Sequence, residues 1–371
     1  MRYDCAVVPC VSYDEETVTK AIYEAVENTV GFGFAVPGKK IAIKANLLLL
    51  KKPEAAATTH PMMLYCLSKI LTEKGCSVVI GYSPGGLYTY PYVAAIYKGT
   101  GIDLAEKGGA ELNRDMHVSH SGFDGKVVKE LNYTGYLDDA DYIIDFAKLK
   151  THGMLLMTGA TKNMFGIIPG VEKPEYHYKY PRTEDFADML VDITIFKKPV
   201  LSLIDACMAM EGNGPSGGKP RHVGALIASS SPYYADVEGA RIMGLDPMAI
   251  PYLKAAYDRG LMPQYPDSIN LYGSTEPYSA GSFELIDRVN THFDIGIASA
   301  AFERKPVLKK DLCIRCGECE RICPKKAIKL APYPEINRKA CIRCFCCQEF
   351  CPRSALIAKR PLIARIINGR I

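Results

Sequence analysis

Near the C-terminal end of the chain, LCIRCGECERICPKKAI is followed by ACIRCFCCQEFCPRSAL, two copies of one cysteine spacing. In each copy the thiols fall at C-x2-C-x2-C-x3-C, and proline follows the last. Cys313, Cys316, Cys319 and Cys323 are thereby echoed by Cys341, Cys344, Cys347 and Cys351. Three thiolates on one tight loop can hold three irons of a cubane, and the fourth iron takes a thiolate from elsewhere. The spacing predicts two [4Fe-4S] clusters that exchange their fourth ligand. One is assigned to Cys313, Cys316, Cys319 and Cys351, the other to Cys341, Cys344, Cys347 and Cys323. Cys346 lies inside the second copy without breaking its spacing and reads as a spare thiol.

Zinc is the rival reading. Zinc knuckles pair their ligands across longer loops and often use histidine, and no histidine lies between Cys313 and Pro352. The eight-cysteine pattern is that of bacterial two-cluster ferredoxins, so a small α+β ferredoxin-like module is expected here.

What precedes the cysteines is much larger. The chain has 371 residues, 48% of them apolar, enough for one sizeable core plus the module. No window offers eighteen consecutive apolar residues, and the run near Ile41–Leu50 contains Lys44 and stops at Lys51-Lys52. No membrane-spanning helix is expected, and the first residues lack the plan of a signal peptide. With 14 cysteines, most at cluster spacing, a reducing cytoplasm is the expected compartment.

The net charge of +4 conceals an asymmetry: residues 1–302 carry 28 Lys and Arg against 35 Asp and Glu, whereas residues 303–371 carry 17 against 6. Oxidised clusters and their thiolates would subtract about four charges and leave the module basic. Such a module can dock on the acidic large domain, or receive an acidic electron donor, such as a ferredoxin or flavodoxin, by electrostatic steering. Nucleic acid ranks below both, because the lysines are scattered and lack interleaved aromatic residues.

Strand-like and helical patterns alternate through the large domain. Ala6–Val8 reads as a short strand, and Ser12-x-x-Glu15 as a capping box opening a helix with Val18, Ala21, Ile22, Ala25 and Val26 on one face. Lys40–Ala45 reads as a buried strand, Pro61–Glu73 as a helix, and Ser77–Gly81 as a strand ending in the turn Ser83-Pro84-Gly85-Gly86. Further strands are expected at Tyr142–Phe146, Val200–Ile204, Gly224–Ala228 and Ile269–Tyr272, with helices at Thr183–Phe196 and Tyr234–Met243. This alternation argues for an α/β domain over residues 1–302, a mostly parallel sheet flanked by helices. Residues 303–311, charged and broken by Pro306, read as a linker to a module at 312–360, and residues 361–371 as a tail.

Open α/β sheets gather ligands beyond the carboxyl ends of their strands. The first central strand leads into Lys44, Ala45 and Asn46. Tyr142–Phe146 leads into Lys148, Lys150, Thr151 and His152, and then into Thr158-Gly159-Ala160-Thr161-Lys162-Asn163. Val200–Ile204 leads into Asp205 and Glu211-Gly212-Asn213-Gly214-Pro215. Polar residues and glycines occur in such loops for turn geometry alone. The close succession of Lys-x-Lys-Thr-His and Thr-Gly-Ala-Thr-Lys-Asn goes further, since ammonium, amide and backbone N–H groups together hold a carboxylate or phosphate. In the expected site Lys44, Lys148, Lys150 and Lys162 neutralise an anion, and Asn46, Asn163 and Asn213 orient it. His152, Lys162, Asp205 and Glu211 form the catalytic set, with His152 the leading acid/base candidate. His60 reads as a helix-start residue whose neighbour Thr59 helps cap. Neither a Walker loop nor GxGxxG is present.

Several of these stretches resemble an uncharacterised family, DUF362, whose members often carry a ferredoxin module. They are Ile43-Lys44-Ala45-Asn46-Leu47, Thr59-His60-Pro61, Ser83-Pro84-Gly85, Lys148 to His152, Thr161 to Gly166, Met210 to Pro215, and Asp236 with Gly244-Leu245-Asp246-Pro247. Tyr82 departs from the pattern, where aspartate commonly precedes the Ser-Pro. A slighter likeness joins Thr158 to Asn163 and Pro169-Gly170 to a Gly-Gly-x-Lys…Pro-Gly segment of nickel-dependent lactate racemases. The family resemblance implies an iron–sulfur protein with an anion-friendly site and brings no settled reaction; a flavin or a further metal in the large domain stays open. Two functions compete. One is an oxidoreductase passing low-potential electrons from an external donor through two clusters to an anionic substrate or cofactor. The other is a non-catalytic electron carrier or maturation factor serving a larger redox enzyme. The first is preferred, because a dedicated carrier has little need of a large domain with clustered strand-end lysines.

Overall fold

One nine-stranded sheet runs through the large domain of the computed structural model, which describes residues 2–263, 266–279, 281, 283–285 and 304–359. In chain order its strands and a separate hairpin are β1 (Cys5–Pro9), β2 (Lys40–Ala45), β3 (Ser77–Gly81), β4 (Ala110–Leu112), β5 (Val118–Gly122), β6 (Glu130–Thr134), β7 (Tyr142–His152), β8 (Leu156–Thr158), β9 (Leu201–Glu211), β10 (Lys219–Ser229) and β11 (Leu271–Gly273). The spatial order is β11-β1-β10-β9-β7-β2-β3-β4, with β8 folded back on β7 and β5 pairing β6 apart from the sheet. The run β4-β3-β2-β7-β9 is parallel, and β10 is antiparallel to both β9 and β1.

The helices are α1 (Glu15–Glu27), α2 (Pro61–Glu73), α3 (Tyr90–Thr100), α4 (Ala160–Met164), α5 (Lys173–Lys179), α6 (Thr183–Phe196), α7 (Pro232–Ile242) and α8 (Pro251–Asp258). They cover both faces. One core packs α1, α2 and α3 with Ile41, Ile43, Ile144 and Phe146; the other packs α6, α7 and α8 with Ala42, Ile143, Ala147 and Ile204. Covering both faces explains why central strands such as β2 read as continuous apolar runs instead of alternating ones. Helix α1 buries the five residues expected of it, but its cap is Asp14, which accepts from Thr17 N–H at 2.8 Å, while Ser12 donates to Asp14 instead of capping. The expected strand at Ile269–Tyr272 is β11, and the helix expected at Tyr234–Met243 starts earlier, with Pro232 at its first turn.

The C-terminal module holds β12 (Lys305–Leu308), β13 (Ile328–Leu330), β14 (Pro334–Ile336) and β15 (Leu356–Lys359), with α9 (Glu318–Arg321) and α10 (Cys346–Glu349). β12 pairs antiparallel with β15 along its whole length, so Lys305–Leu308 belongs to the module and is not linker. The linker reading failed because the pairing partner lies some fifty residues downstream, where no local signal reaches. The tail at 361–371 lies outside the described residues.

Candidate functional site

Four lysines converge where β2, β7, α4 and α5 meet. Lys44 comes from β2, Lys150 from β7, Lys162 from α4 and Lys173 from α5, and all four line one cavity of about 40 Å³. Asn163 is its hub: Oδ1 accepts from Lys44 Nζ at 2.5 Å and from Asn46 Nδ2 at 3.0 Å, while Nδ2 donates to Asp145 at 2.6 Å. Lys150 Nζ donates to Asn46 Oδ1 at 3.0 Å and to the Ala57 carbonyl at 2.7 Å. Lys173 Nζ donates to the carbonyls of Ser83 and Pro84. Helix α4 is only five residues long and is held by Asp236, whose carboxylate accepts from Ala160 N–H at 2.6 Å and Thr161 N–H at 2.8 Å. A Cβ at Gly159 would strike that carboxylate, which accounts for the glycine.

Burial is the dominant influence on these charges. It pushes Lys44 down to about 7 against the pull of Asp145, with Lys162 adding to the fall, and Lys150 down to about 7 against Glu349, with its lysine neighbours adding to the fall. Lys173 also lies well below the usual lysine range, for the same reason. Tyr82 stands between two of them, its ring centroid 5.2 Å from Lys44 Nζ and 5.3 Å from Lys173 Nζ. The negative face of a ring thus sits between two ammonium groups.

The ferredoxin module closes this cavity. Glu349, at the end of α10, places Oε1 3.8 Å from Lys162 Nζ and Oε2 3.8 Å from His152 Nε2. His152 Nδ1 accepts from the N–H groups of Met154 and Leu155, each at 3.1 Å, which leaves Nε2 as the protonated nitrogen facing Glu349. Burial would raise the Glu349 carboxyl, but Lys162, His152 and His177 outweigh it and hold it well below the usual range. Phe350 packs over Gly85, where any side chain would collide with the ring. Gln348 Nε2 donates to Asn213 Oδ1 at 2.7 Å and to the Gly214 carbonyl at 3.0 Å. The Glu-Gly-Asn-Gly-Pro and Ser-Pro-Gly-Gly segments are therefore receptors for the module, and Asn213 docks protein instead of orienting a ligand.

Three expected site residues lie elsewhere. Lys148 Nζ is 2.8 Å from Asp205 Oδ2 and 2.8 Å from the Tyr13 hydroxyl, which itself donates to Asp205 Oδ1 at 2.9 Å. His60 stacks on Tyr13 with centroids 3.6 Å apart and caps α2 through Nδ1, which accepts from Met62 N–H. Thr59 does not cap; its hydroxyl donates to the Phe146 carbonyl at 2.7 Å. Glu211 pairs with Arg221 at 2.9 Å and accepts from Glu284 N–H at 3.0 Å, joining the ends of β9 and β10 to a neighbouring loop. Against these, the sequence reading missed Lys173, Tyr82, His177, Glu349 and Phe350. Only Ser83-Pro84-Gly85 pointed toward the first two, and nothing local marks Glu349 as buried.

The cysteine runs repeat in three dimensions as they do in sequence. Arg315 and Gly317 in one and Arg343 and Phe345 in the other adopt left-handed backbone, with φ of 58°, 77°, 60° and 61°. Cys323 Sγ accepts from Ala327 N–H and Cys351 Sγ from Ala355 N–H, both at 3.2 Å. Cys313, Cys316, Cys319 and Cys351 line one cavity. Burial raises the Cys341 thiol, and Cys344 and Cys323 beside it add to the rise. These thiol sets fit iron–sulfur ligation. Cys346 is fully buried against Ile322 and Phe350.

Fold and site define an α/β protein whose lysine-lined chamber is capped by a ferredoxin-type module. Residues 41–241 match the domain of unknown function DUF362, and residues 306–329 match the 4Fe-4S binding domain. The chain belongs to the DUF362 family and carries an iron–sulfur cluster-binding module. A thylakoid-associated protein of Synechocystis sp. is 32% identical over 260 residues, 68% of this chain and 78% of that protein. Among solved structures, the lactate racemase apoprotein from Thermoanaerobacterium thermosaccharolyticum shares 16% identity at a TM-score of 0.42, over 66% of this chain and 58% of that one. A Thermotoga maritima protein shares 12% identity at a TM-score of 0.38, over 69% of this chain and 61% of its own. The chain thus spans under two thirds of either structure. Among the described residues no helix is long and apolar enough to cross a membrane.

Proposed function

We propose that the protein is an iron–sulfur oxidoreductase of the cytoplasm that takes electrons from an external donor and delivers them to an anionic substrate or cofactor in the lysine chamber. In this reading Cys313, Cys316, Cys319 and Cys351 hold one [4Fe-4S] cluster, and Cys341, Cys344, Cys347 and Cys323 hold a second. Bound there, such clusters supply one-electron transfer at potentials anywhere from roughly −700 to +450 mV. One observation carries the reading: Glu349 and Phe350, which lie between Cys347 and Cys351, line the same cavity as the four lysines. A ligand there would touch the second cysteine loop.

The chain's own residues divide the remaining work. Lys44, Lys150, Lys162 and Lys173 neutralise the anion, Asn46 and Asn163 fix its position, and His152 Nε2–H presents a proton at the chamber wall. Phe165 and Phe350 keep bulk water out. On the module surface Cys316 is exposed beside exposed Arg315 and Arg353, a basic face suited to an acidic donor. A plain carrier or accessory protein gives no reason to bury four lysines, which are costly to desolvate.

The test is anaerobic purification with native mass spectrometry to identify a co-purified anion, followed by reoxidation of dithionite-reduced protein by that molecule. Lys162→Ala is expected to slow reoxidation by about a hundredfold with iron content unchanged. Equal rates in the two proteins would contradict an enzymatic chamber.

A further inference from the structure

Elsewhere among the described residues, several buried carboxylates have a cation at close range: Asp205 has Lys148 at 2.8 Å, Asp192 has Arg259 at 2.7 Å and Glu238 has Arg241 at 2.6 Å. The chamber is different. Its lining holds four lysines and one carboxylate, Glu349. Asp145 stands behind the lining and is bridged to it by Asn163, at 2.6 Å. Lys162 comes no closer to Glu349 than 3.8 Å. Among the described residues, Lys44, Lys150 and Lys173 donate to amide and peptide oxygens and to no carboxylate. Lys162 is 8% exposed with no acceptor within hydrogen-bond reach, and the buried His152 Nε2 has none either. Lysine charge with no carboxylate at hydrogen-bond distance therefore lines one small space, while the unused His152 Nε2 faces the other oxygen of Glu349, an arrangement strongly disfavoured unless an anion joins it.

We infer that the chamber binds a compact dianionic oxyanion, inorganic phosphate or the phosphate group of a monoester, with Lys44 and Lys162 as its principal charged donors. Donor number sets the class: Nζ groups from β2, β7, α4 and α5 converge on one cavity, more donors than the two oxygens of a single carboxylate engage. Burial is the chief cause of the depressed proton affinity of Lys44 and Lys150, and an adjoining anion would offset it. Glu349 opposes a dianion, and removing its charge should strengthen binding. Phosphate binding rests on the proposed redox function only for the electron transfer that comes after it.

The experiment is isothermal titration of the oxidised, cluster-loaded full chain at constant ionic strength, with inorganic phosphate, phenyl phosphate, succinate and acetate. One of the two phosphates is expected to bind at least about tenfold more tightly than succinate or acetate. Lys162→Gln should weaken it by about tenfold or more, and Glu349→Gln should tighten it several-fold. Opposite signs in two variants with unchanged iron content cannot come from misfolding. Tighter phenyl phosphate identifies a monoester as the source, and tighter inorganic phosphate the free ion. Succinate binding as tightly as phosphate, phosphate binding no better than acetate, or affinity unmoved in both variants would overturn the assignment. Because no electrons move in this assay, its failure leaves the redox reading in place with a different anion. Phosphate binding without any electron delivery would instead sink the redox reading alone.

Discussion

Lys148 and Lys150 stand two positions apart on β7, each 1% exposed, and keep opposite electrostatic company. Lys148 meets the Asp205 carboxylate at 2.8 Å and the Tyr13 hydroxyl at 2.8 Å, so its charge is matched within the fold. Lys150 meets an amide oxygen and a peptide carbonyl, and its charge is left for something else to match. Proximity in sequence and equal burial do not decide which lysine belongs to the fold and which to a ligand. The counter-charge does.

The largest effect that would break this comparison is at Asp205. Asp205→Ala leaves Lys148 buried without its partner and should cost about 3–5 kcal/mol, read as a large fall in the unfolding midpoint. Lys150→Met removes an unmatched charge and should leave the midpoint unchanged or raise it. Similar losses in both variants would erase the distinction.

Stability against pH sharpens the same point. Lys44 and Lys150 titrate at about 7 in the fold and near 10.5 in the unfolded chain. Above pH 7 the unfolded chain therefore holds protons that the folded protein has shed, so the contribution of these lysines to the stability of the ligand-free protein should rise from pH 7 to about pH 8.5. Asp236, pushed up by burial to about 7, and Asp145, pushed well above the carboxylate range by burial, act with the opposite sign, so the lysine contribution is read as the difference in slope between the wild-type chain and Lys150→Met. Anion affinity should fall over the window in which that contribution rises. Denaturation and binding titrations in one buffer series check both slopes, and parallel slopes would contradict the unmatched-lysine account.

Smaller effects lie at the module contact. Gly85→Ala should displace the Phe350 ring at a cost of about 1–3 kcal/mol and accelerate hydrogen exchange in α10 while leaving iron bound. Least of all, Tyr82→Phe keeps a ring between Lys44 and Lys173 and should change stability by under about 0.5 kcal/mol, whereas Tyr82→Leu, which removes two cation–π contacts, should cost about 1–2 kcal/mol.

Much of the frame was legible from the sequence. Lys40–Ala45, Pro61–Glu73, Ser77–Gly81 and Thr183–Phe196 fall where their patterns place them, because apolar spacing and flanking turns are local signals. The strands that build the site were read too short. Tyr142–Phe146 runs on to His152 and Val200–Ile204 on to Glu211, since lysines, a histidine and carboxylates look like loop when their buried partners are remote in the chain. Lys44, Asn46, Lys150, Lys162 and Asn163, singled out by strand-end placement, line one cavity, whereas Lys148 and Asp205 share that placement and pair with each other. Gln348, Glu349 and Phe350 occupy the x3 gap of the second cysteine run, where ligand spacing hides their role. Their counterparts in the first run, Glu320, Arg321 and Ile322, make no such contact with the lysines, so spacing alone could not tell the runs apart.

Electrochemistry tests most directly whether the second cysteine loop and the lysine chamber form one unit. The measurement is an EPR-monitored potentiometric titration of the wild-type chain and Lys162→Gln, each shown to hold about eight irons. Reduction adds negative charge, which a nearby ammonium favours, so removing Lys162 should shift the centre proposed on Cys341, Cys344, Cys347 and Cys323 to a more negative potential and leave the other proposed centre in place. Two signals that stay fixed, or move together, would contradict the account.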